Sequence, residues 1–218
     1  MDLSYDKLIE ICESLDSGSL ASFARTSKDI YWTCQSILEE RYARYRPAIE
    51  YLSKLDPNTI EVSLTEYNLD TLKYLNLGRF KNLTRLNCDY NQLINLEGIE
   101  NCTNLLLINC FNNNLTSLKG IENCTNLEIL NCYTNELKNL NYLYNSISLE
   151  TLNVSDNELT DLKGIENCIN LTDLYCENNL LTSLKGIENC TNLRKLYCGD
   201  NPLKSLDYIP PSVTYVNT

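Results

Sequence analysis

The stretch LKGIENCTNL stands at Leu118–Leu127 and recurs, letter for letter, at Leu184–Leu193. Two close variants, LEGIENCTNL and LKGIENCINL, stand at Leu96–Leu105 and Leu162–Leu171. The four copies begin 22, 44 and 22 residues apart, so a unit of 22 residues is repeated through this part of the chain. Repetition at such a period is typical of solenoids, in which each unit covers the apolar side of the next one.

The repeat unit reads LxxLxCxxNxLxxLxGIxxCxN when Leu83 is taken as position 1. Full units then begin at Leu83, Leu105, Leu127, Leu149, Leu171 and Leu193. A looser unit of 24 residues begins near Thr59, and a partial one begins near Val213. The opening LxxLxC alternates apolar and polar residues, which predicts a short strand with positions 4 and 6 inward and positions 3, 5 and 7 toward solvent.

An asparagine recurs at position 9 of each unit, where the chain is predicted to turn away from the strand. The six asparagines are Asn91, Asn113, Asn135, Asn157, Asn179 and Asn201. Backbone groups in such a turn have no ladder partners, and each one left bare costs roughly 1–3 kcal/mol. An amide side chain offers both donors and acceptors. We therefore predict an asparagine ladder, in which these side chains bond the turn backbone and one another.

This pattern resembles the leucine-rich repeat in its short 22-residue class, which occurs in phosphatase regulators and bacterial internalins. The resemblance covers residues 59–218, with about seven units plus a partial last one. It implies an α/β solenoid, a curved right-handed horseshoe with a parallel β-sheet on its concave face and extended or 3₁₀ segments on its convex face. The Asn- and Tyr-rich repeats also resemble those encoded by giant DNA viruses that infect amoebae.

Nine of the eleven cysteines fall at only two repeat positions. Position 6 holds Cys88, Cys110, Cys132, Cys176 and Cys198, and position 20 holds Cys102, Cys124, Cys168 and Cys190. Val154 replaces cysteine at position 6, and Phe80 and Ser146 replace it at position 20, which favours core filling by a small apolar side chain. Disulfides between neighbouring units and a metal site are the alternatives, although the CxxC spacing of zinc sites is absent from the sequence.

Composition narrows the function classes. The formal net charge of −11 disfavours binding to nucleic acid or to an anionic membrane. The sequence contains no histidine, the usual general base and metal ligand, so we expect no enzymatic activity, no metal and no cofactor. Clustered acids such as Asp173 and Glu177 could form the carboxylate pair of an enzyme, but acidic residues on a surface of this charge are usually solvated. The opening MDLSYDKLIE lacks the basic and apolar regions of a secretory signal, so we expect an intracellular, cytoplasmic (or host-cytoplasmic) location.

Residues 1–46 show helical spacing instead of the repeat. Leu8, Ile11 and Leu15 fall on one face of a first helix. Leu20, Phe23 and Ala24 form the apolar stripe of a second helix, and a third helix is predicted from about Lys28 to Arg46. Pro47 is expected to end that helix. Residues 47–58 are then interpreted as a linker with a short capping helix, followed by a turn at Asp56-Pro57-Asn58.

The order of apolar residues in this segment resembles an F-box, a small all-α module. The positions that match are Leu3, Leu8, Ile11, Leu15, Leu20, Phe23 and Ala24, with Ile30 where the module usually has Trp. Ser4 replaces the usual Pro, and Cys12 a usual Leu. The resemblance implies that residues 1–46 dock on a Skp1-type adaptor of a cullin–RING ubiquitin ligase. The alternative is that these helices only cap the first coil of the solenoid.

Two groups of residues stand out on the predicted concave face. The first comprises Leu107, Phe111, Ile129 and Tyr133, and the second comprises Tyr175 and Tyr197. Aromatic anchors within a polar rim are typical of binding hot spots, although cross-strand packing alone would also place them there. The sequence therefore predicts a surface for a target protein whose identity the sequence does not give.

Two functions fit these features. The first is a non-catalytic substrate-recognition adaptor, with the F-box-like segment on a Skp1-type subunit and the repeats on a target protein. The second is a freestanding protein-binding scaffold of the phosphatase-regulator kind, with the helices acting only as a cap. The final strand expected near residues 213–218 has no polar cap after it, so self-association through this strand edge is a further expectation.

Overall fold

The computed structural model of the chain describes residue 39 and residues 43–218. The chain divides into two compact units, Met1–Pro47 and Ala48–Thr218. The F-box-like positions Leu3, Leu8, Ile11, Leu15, Leu20, Phe23 and Ile30 lie outside the described residues, so their role stays a prediction. Within the described part, no helix is both long enough and apolar enough to cross a membrane.

Short strands of three residues form one parallel sheet in the second unit. In the described residues they are β1 (Glu61–Ser63), β2 (Arg85–Asn87), β3 (Leu107–Asn109), β4 (Ile129–Asn131), β5 (Thr151–Asn153), β6 (Asp173–Tyr175), β7 (Lys195–Tyr197) and β8 (Tyr215–Asn217). Each strand pairs with the next one along the chain, from β1 to β8. This stacking of successive coils is the predicted repeat solenoid, so the predicted fold class is confirmed.

The core is built from the middle residue of each strand and from the leucines and isoleucines of the connecting segments. The middle residues Val62, Leu86, Ile108, Leu130, Leu152, Leu174 and Leu196 are all fully buried. Full burial of such a side chain contributes about 1.5–3 kcal/mol to stability. In β8 the equivalent Val216 is 39% exposed, because no further described coil covers it. The apolar core therefore runs through the described coils and is less covered at β8.

The nine cysteines of the solenoid are buried and free, so the core-filling prediction is confirmed. Phe80, Ser146 and Val154, which take their place in other coils, are buried as well. Cys110 and Cys132 have their Sγ atoms 3.4 Å apart in neighbouring coils, as a thiol contact rather than a disulfide. Among the described residues, no group of three or more His, Cys, Asp or Glu side chains is placed to hold a metal ion.

The repeated glycine at position 16 lets neighbouring coils approach each other closely. Gly120 has φ of +109°, and a Cβ built there would lie only 2.2 Å from the carbonyl oxygen of Leu96 in the previous coil. The Gly120 N–H donates to Oε2 of Glu122 at 2.7 Å, which satisfies a backbone group left by the turn. The GIE triplet of the repeat thus combines a close approach with its own cap. Two coils have tyrosine at this position instead: Tyr142 lies in a 3₁₀ helix, Asn141–Leu143, and Tyr208 has a positive φ of 75°.

A helix, α1, precedes the first coil and covers residues 43–53 in the described part. Pro47 does not end it, so the predicted break at this residue is wrong. Proline costs about 3 kcal/mol in a helix interior, but Ala48 and Leu52, four residues apart, are both buried and offset this cost. The predicted turn at 56–58 is present, because Asn58 donates its N–H to Oδ1 of Asp56 at 2.7 Å.

The last turn of α1 packs on the first coil of the solenoid. The Arg79 guanidinium donates to the carbonyl oxygen of Leu52. The rings of Tyr51 and Tyr67 lie 5.9 Å apart. Two further 3₁₀ helices, Lys73–Leu75 and Leu77–Arg79, complete this first coil. Contacts of this kind cover the apolar end that the first coil of a solenoid would otherwise expose.

Candidate functional site

The sheet has one side buried in the core and one side toward solvent, which we call the sheet face. It presents the side chains at repeat positions 3, 5 and 7. Leu107 of β3 and Ile129 of β4 are register partners on this face. Phe111 and Tyr133 follow the same two strands. The fold therefore brings the four predicted residues together, and we call this group the apolar patch.

Exposure differs within the apolar patch. Ile129 and Tyr133 are the more exposed members, at 38% and 40%, whereas Leu107 and Phe111 are half-buried. Phe111 is less open than expected because its ring packs edge-on against Tyr90, with ring centroids 4.6 Å apart and planes at 73°. Tyr90 follows position 7 of the previous coil and was not found from the sequence, since the alternation rule assigns it to no face.

Asp89 was predicted to face solvent, and this prediction is wrong, because only 3% of it is exposed. Its carboxylate bridges two coils. Oδ1 accepts the N–H of Phe111 at 3.1 Å, and Oδ2 accepts Nδ2 of Asn109 at 2.7 Å. Burial raises the pKa of Asp89 from 3.8 to about 6, although the hydrogen bonds from Phe111 and Asn87 act to lower it. A buried carboxylate thus supports the backbone beneath the apolar patch.

The asparagines at position 9 form a ladder along the edge of the sheet. Asn113 accepts the Leu93 N–H of the previous coil at 3.0 Å. It donates to the carbonyl oxygens of Cys88 and Cys110, both at 3.1 Å. The same bonds to the preceding coil and to the turn are made by Asn91, Asn135, Asn157, Asn179 and Asn201. The hydrogen-bond partners of all six side chains are backbone groups, so the expectation that these side chains also bond one another is wrong.

Three tyrosines lie side by side at the C-terminal part of the sheet face, and we call them the tyrosine ladder. Tyr175 of β6 and Tyr197 of β7 are register partners, with ring centroids 4.5 Å apart and planes at 10°. Tyr215 of β8 continues the row at 5.2 Å and 47° from Tyr197. Tyr215 was missed from the sequence, because it stands at position 3 rather than position 5 and reaches Tyr197 diagonally.

The two acidic residues beside the tyrosine ladder have different surroundings. Asp173 accepts a hydrogen bond from Nζ of Lys195 at 2.7 Å and one from Oγ1 of Thr172 at 2.8 Å. Burial acts to raise the pKa of Asp173, but these two hydrogen bonds outweigh it and lower the pKa. No described cation lies within ion-pair distance of Glu177. Asp173 is therefore neutralised locally, whereas Glu177 is not.

Comparison with known proteins supports the repeat assignment. A family profile described as "Leucine Rich repeats (2 copies)" matches residues 147–189 and 169–211. No curated protein matched the sequence. The chain carries leucine-rich repeats, and its second unit has the fold of a leucine-rich-repeat solenoid.

Solved structures of three bacterial and plant proteins share this fold. An internalin from Listeria monocytogenes superposes with a TM-score of 0.66 at 22% identity, over 74% of this chain and 48% of that one. A leucine-rich-repeat protein from Leptospira interrogans gives 0.63 at 28%, over 69% and 40%. The ectodomain of an Arabidopsis thaliana receptor kinase, solved with Casparian strip integrity factor 2, gives 0.56 at 23%, over 67% and 19%. The chain thus spans less than half the length of each.

Proposed function

We propose that the protein is a non-catalytic scaffold that binds another protein on its sheet face. The observation that carries this proposal is the apolar patch, where Ile129 and Tyr133, at positions 3 and 7 of one coil, stay 38% and 40% exposed. Large apolar side chains grouped on an otherwise polar surface are typical of interaction sites. The tyrosine ladder adds aromatic anchors of the kind that dominate binding energy. The plant receptor kinase with the same fold was solved in complex with its partner, which is consistent with this use.

Two double variants test this proposal with a matched change of side chains. Ile129→Ala with Tyr133→Ala truncates the apolar patch. Tyr144→Ala with Ile147→Ala truncates another aromatic and aliphatic pair, which lies outside the strands and is more exposed, at 49% and 55%. Proteins retained on the immobilised wild type are identified by mass spectrometry. We expect the control variant to retain the same partners and the patch variant to lose them, with melting temperatures within a few degrees of each other.

If all three forms retain the same partners, the sheet face is not the binding surface. If the patch variant unfolds, the test is repeated with the single variant Tyr133→Ala, because Tyr133 is the more exposed of the two side chains. Either experiment separates a binding role of these side chains from packing across the strands.

The finer proposal is that the scaffold recruits its partner to a ubiquitin ligase. The F-box-like spacing of residues 1–46 supports it, with Leu8 and Leu20 at two of its apolar positions. A ligase adaptor acts by holding two proteins close together, and this proximity contributes strongly to the rate of a bimolecular transfer. The resemblance of the repeats to those of giant viruses would make the ligase that of the host cell. A reducing, cytoplasmic location agrees with the free thiols of the solenoid.

Co-expression with a Skp1-type adaptor tests this finer proposal. We expect the wild-type chain to co-purify with the adaptor and the variants Leu8→Asp and Leu20→Asp to lose it. Ile129→Ala with Tyr133→Ala serves as the control that keeps adaptor binding. Failure of the wild type to co-purify would leave the freestanding scaffold, with residues 1–46 acting only as a cap.

A further inference from the structure

A row of small polar side chains crosses the sheet face between its two aromatic groups. The row consists of the outward side chains of β5 and of Ser155, which is at position 7 of the same coil. It lies between β4 and β6 in the sheet. We call this region the β5 groove. Its floor is formed by Thr151, Asn153 and Ser155. One wall is formed by Ile129 and Tyr133 of the β4 coil, and the other by Tyr175 and Glu177 of the β6 coil. Neighbouring strands lie about 4.8 Å apart, so the two walls stand about 10 Å apart. This width accommodates one side chain or one extended segment.

The wall formed by Tyr175 offers one open aromatic face to the groove. Tyr197 covers the other face, because the two rings stack at 4.5 Å with planes at 10°. The register partner of Tyr175 on the opposite side is Asn153, which is too small to stack on the ring. The face of an aromatic ring carries negative charge density and attracts a cation placed over it.

The groove is also negative in formal charge. Glu177 stands in its wall without a described cation within ion-pair distance. Asp156 is the next residue in the sequence after Ser155 of the floor, and its Oδ1 accepts a hydrogen bond from Nδ2 of Asn178. Across the wall, Lys195 is already paired with Asp173 at 2.7 Å. A positive side chain entering the groove would therefore meet an uncompensated carboxylate, whereas a negative one would be repelled.

The floor provides one hydrogen-bond acceptor that the fold leaves partly unused, the side-chain oxygen of Asn153. Ser155 is 6% exposed, and its hydroxyl has no hydrogen-bond partner. This oxygen is enclosed by protein atoms, so it lies beneath the floor and is not a group that a ligand contacts directly. Oδ1 of Asn153 accepts only the N–H of Ser155, at 3.1 Å, and keeps a second lone pair.

We propose that the β5 groove binds an arginine side chain presented by an extended segment of the partner protein. A guanidinium group is planar, stacks on an aromatic face and carries five N–H donors. It would lie on Tyr175, pair with Glu177 and donate to Asn153, while its aliphatic stem contacts Ile129. A lysine matches the charge but neither the stacking nor the number of donors. This inference rests on the proposed function, because it assigns a partner chemistry to the same sheet face.

Peptide display on the intact protein tests this inference. A library of random linear peptides is sorted on the wild type, and the binders that Ile129→Ala with Tyr133→Ala loses are kept. We expect these peptides to share an arginine. Replacing that arginine with citrulline, which has the same shape without the charge, should weaken binding at least tenfold by fluorescence anisotropy.

A double-mutant cycle then locates the arginine. Glu177→Gln should weaken the arginine peptide about tenfold and leave the citrulline peptide unchanged. Glu136→Gln, an exposed acidic residue outside the strands, should change neither. Thr151→Tyr fills the floor and should abolish both.

The two proposals fail separately. Peptides that need the apolar patch but carry no arginine, or that ignore Glu177→Gln, overturn the arginine site and leave the scaffold function standing. If no sorted peptide depends on Ile129 and Tyr133, both the arginine site and the sheet-face function are wrong.

Discussion

Oδ1 of Asn157 accepts the backbone N–H of Leu137 at 2.9 Å, across the boundary between two coils. Nδ2 of the same side chain donates to the carbonyl oxygens of Cys132 and Val154 at 3.0 and 3.1 Å. One amide thus ties a turn to the coil before it, with a side chain that is only 9% exposed. The solenoid needs such bonds in addition to its leucines, because every turn brings polar backbone groups into the interior.

Asn157→Ala should lower the free energy of unfolding by about 3 kcal/mol, because it leaves buried backbone groups without partners. Asn114→Ala is the matched control, since Asn114 is exposed and its change should cost less than about 0.5 kcal/mol. Urea unfolding followed by circular dichroism measures both. Equal losses would mean that the ladder adds nothing to stability.

Gly120→Ala should destabilise the fold by about 3 kcal/mol, because a Cβ would meet the Leu96 carbonyl at 2.2 Å and the backbone has a positive φ. Gly199→Ala is the control, because its nearest neighbour is the flexible Asn217 side chain at 3.2 Å. We expect the control to lose less than about 1 kcal/mol. Similar midpoints of unfolding for the two variants would contradict the close approach of coils at position 16.

Asp89 should make the protein less stable as pH rises from about 4 to 6. Its pKa is raised from 3.8 to about 6 by burial, so the folded state holds the proton more tightly than the unfolded state does. This contribution is fully present below the unfolded pKa and is lost as pH rises through the folded one. A shift of about two pKa units corresponds to a change on the order of 3 kcal/mol in the free energy of unfolding.

Asp89→Asn removes this charge and keeps an oxygen for the Phe111 N–H. We expect the variant to be as stable as the wild type at pH 4 and more stable at pH 7.5, in denaturant titrations at both pH values. Asp207→Asn, an exposed change, should leave the pH dependence of the wild type intact. A wild type whose stability is flat between pH 4 and 6 would refute the buried carboxylate.

The solenoid thiols should resist modification in the folded protein. Burial raises the pKa of Cys124 and Cys168 to about 12, so the reactive thiolate is scarce at neutral pH. In a Cys12→Ser, Cys34→Ser variant, Ellman's reagent at pH 8 should find no reactive thiol until denaturant is added, and then nine. Rapid reaction of the native variant would place these cysteines at the surface.

The 22-residue period by itself determined the sheet order, the buried columns and the ladder. A residue that recurs at one position of a stacked coil meets the same neighbours each time, so the cysteines of position 6 and Asn113 could be placed from spacing alone. The period also placed Leu107, Phe111, Ile129 and Tyr133 on one face, because side chains alternate along a strand.

Only the tertiary structure decided the features in which coils differ. Asp89 is buried because Phe111 and Asn109 in the next coil donate to it, which no rule of alternation contains. Tyr215 joins Tyr197 because its ring reaches diagonally across two strands, from the register position of Lys195 to Tyr197. Such contacts join residues far apart in the chain, and their geometry is fixed by packing, so the sequence alone does not determine which side chains meet.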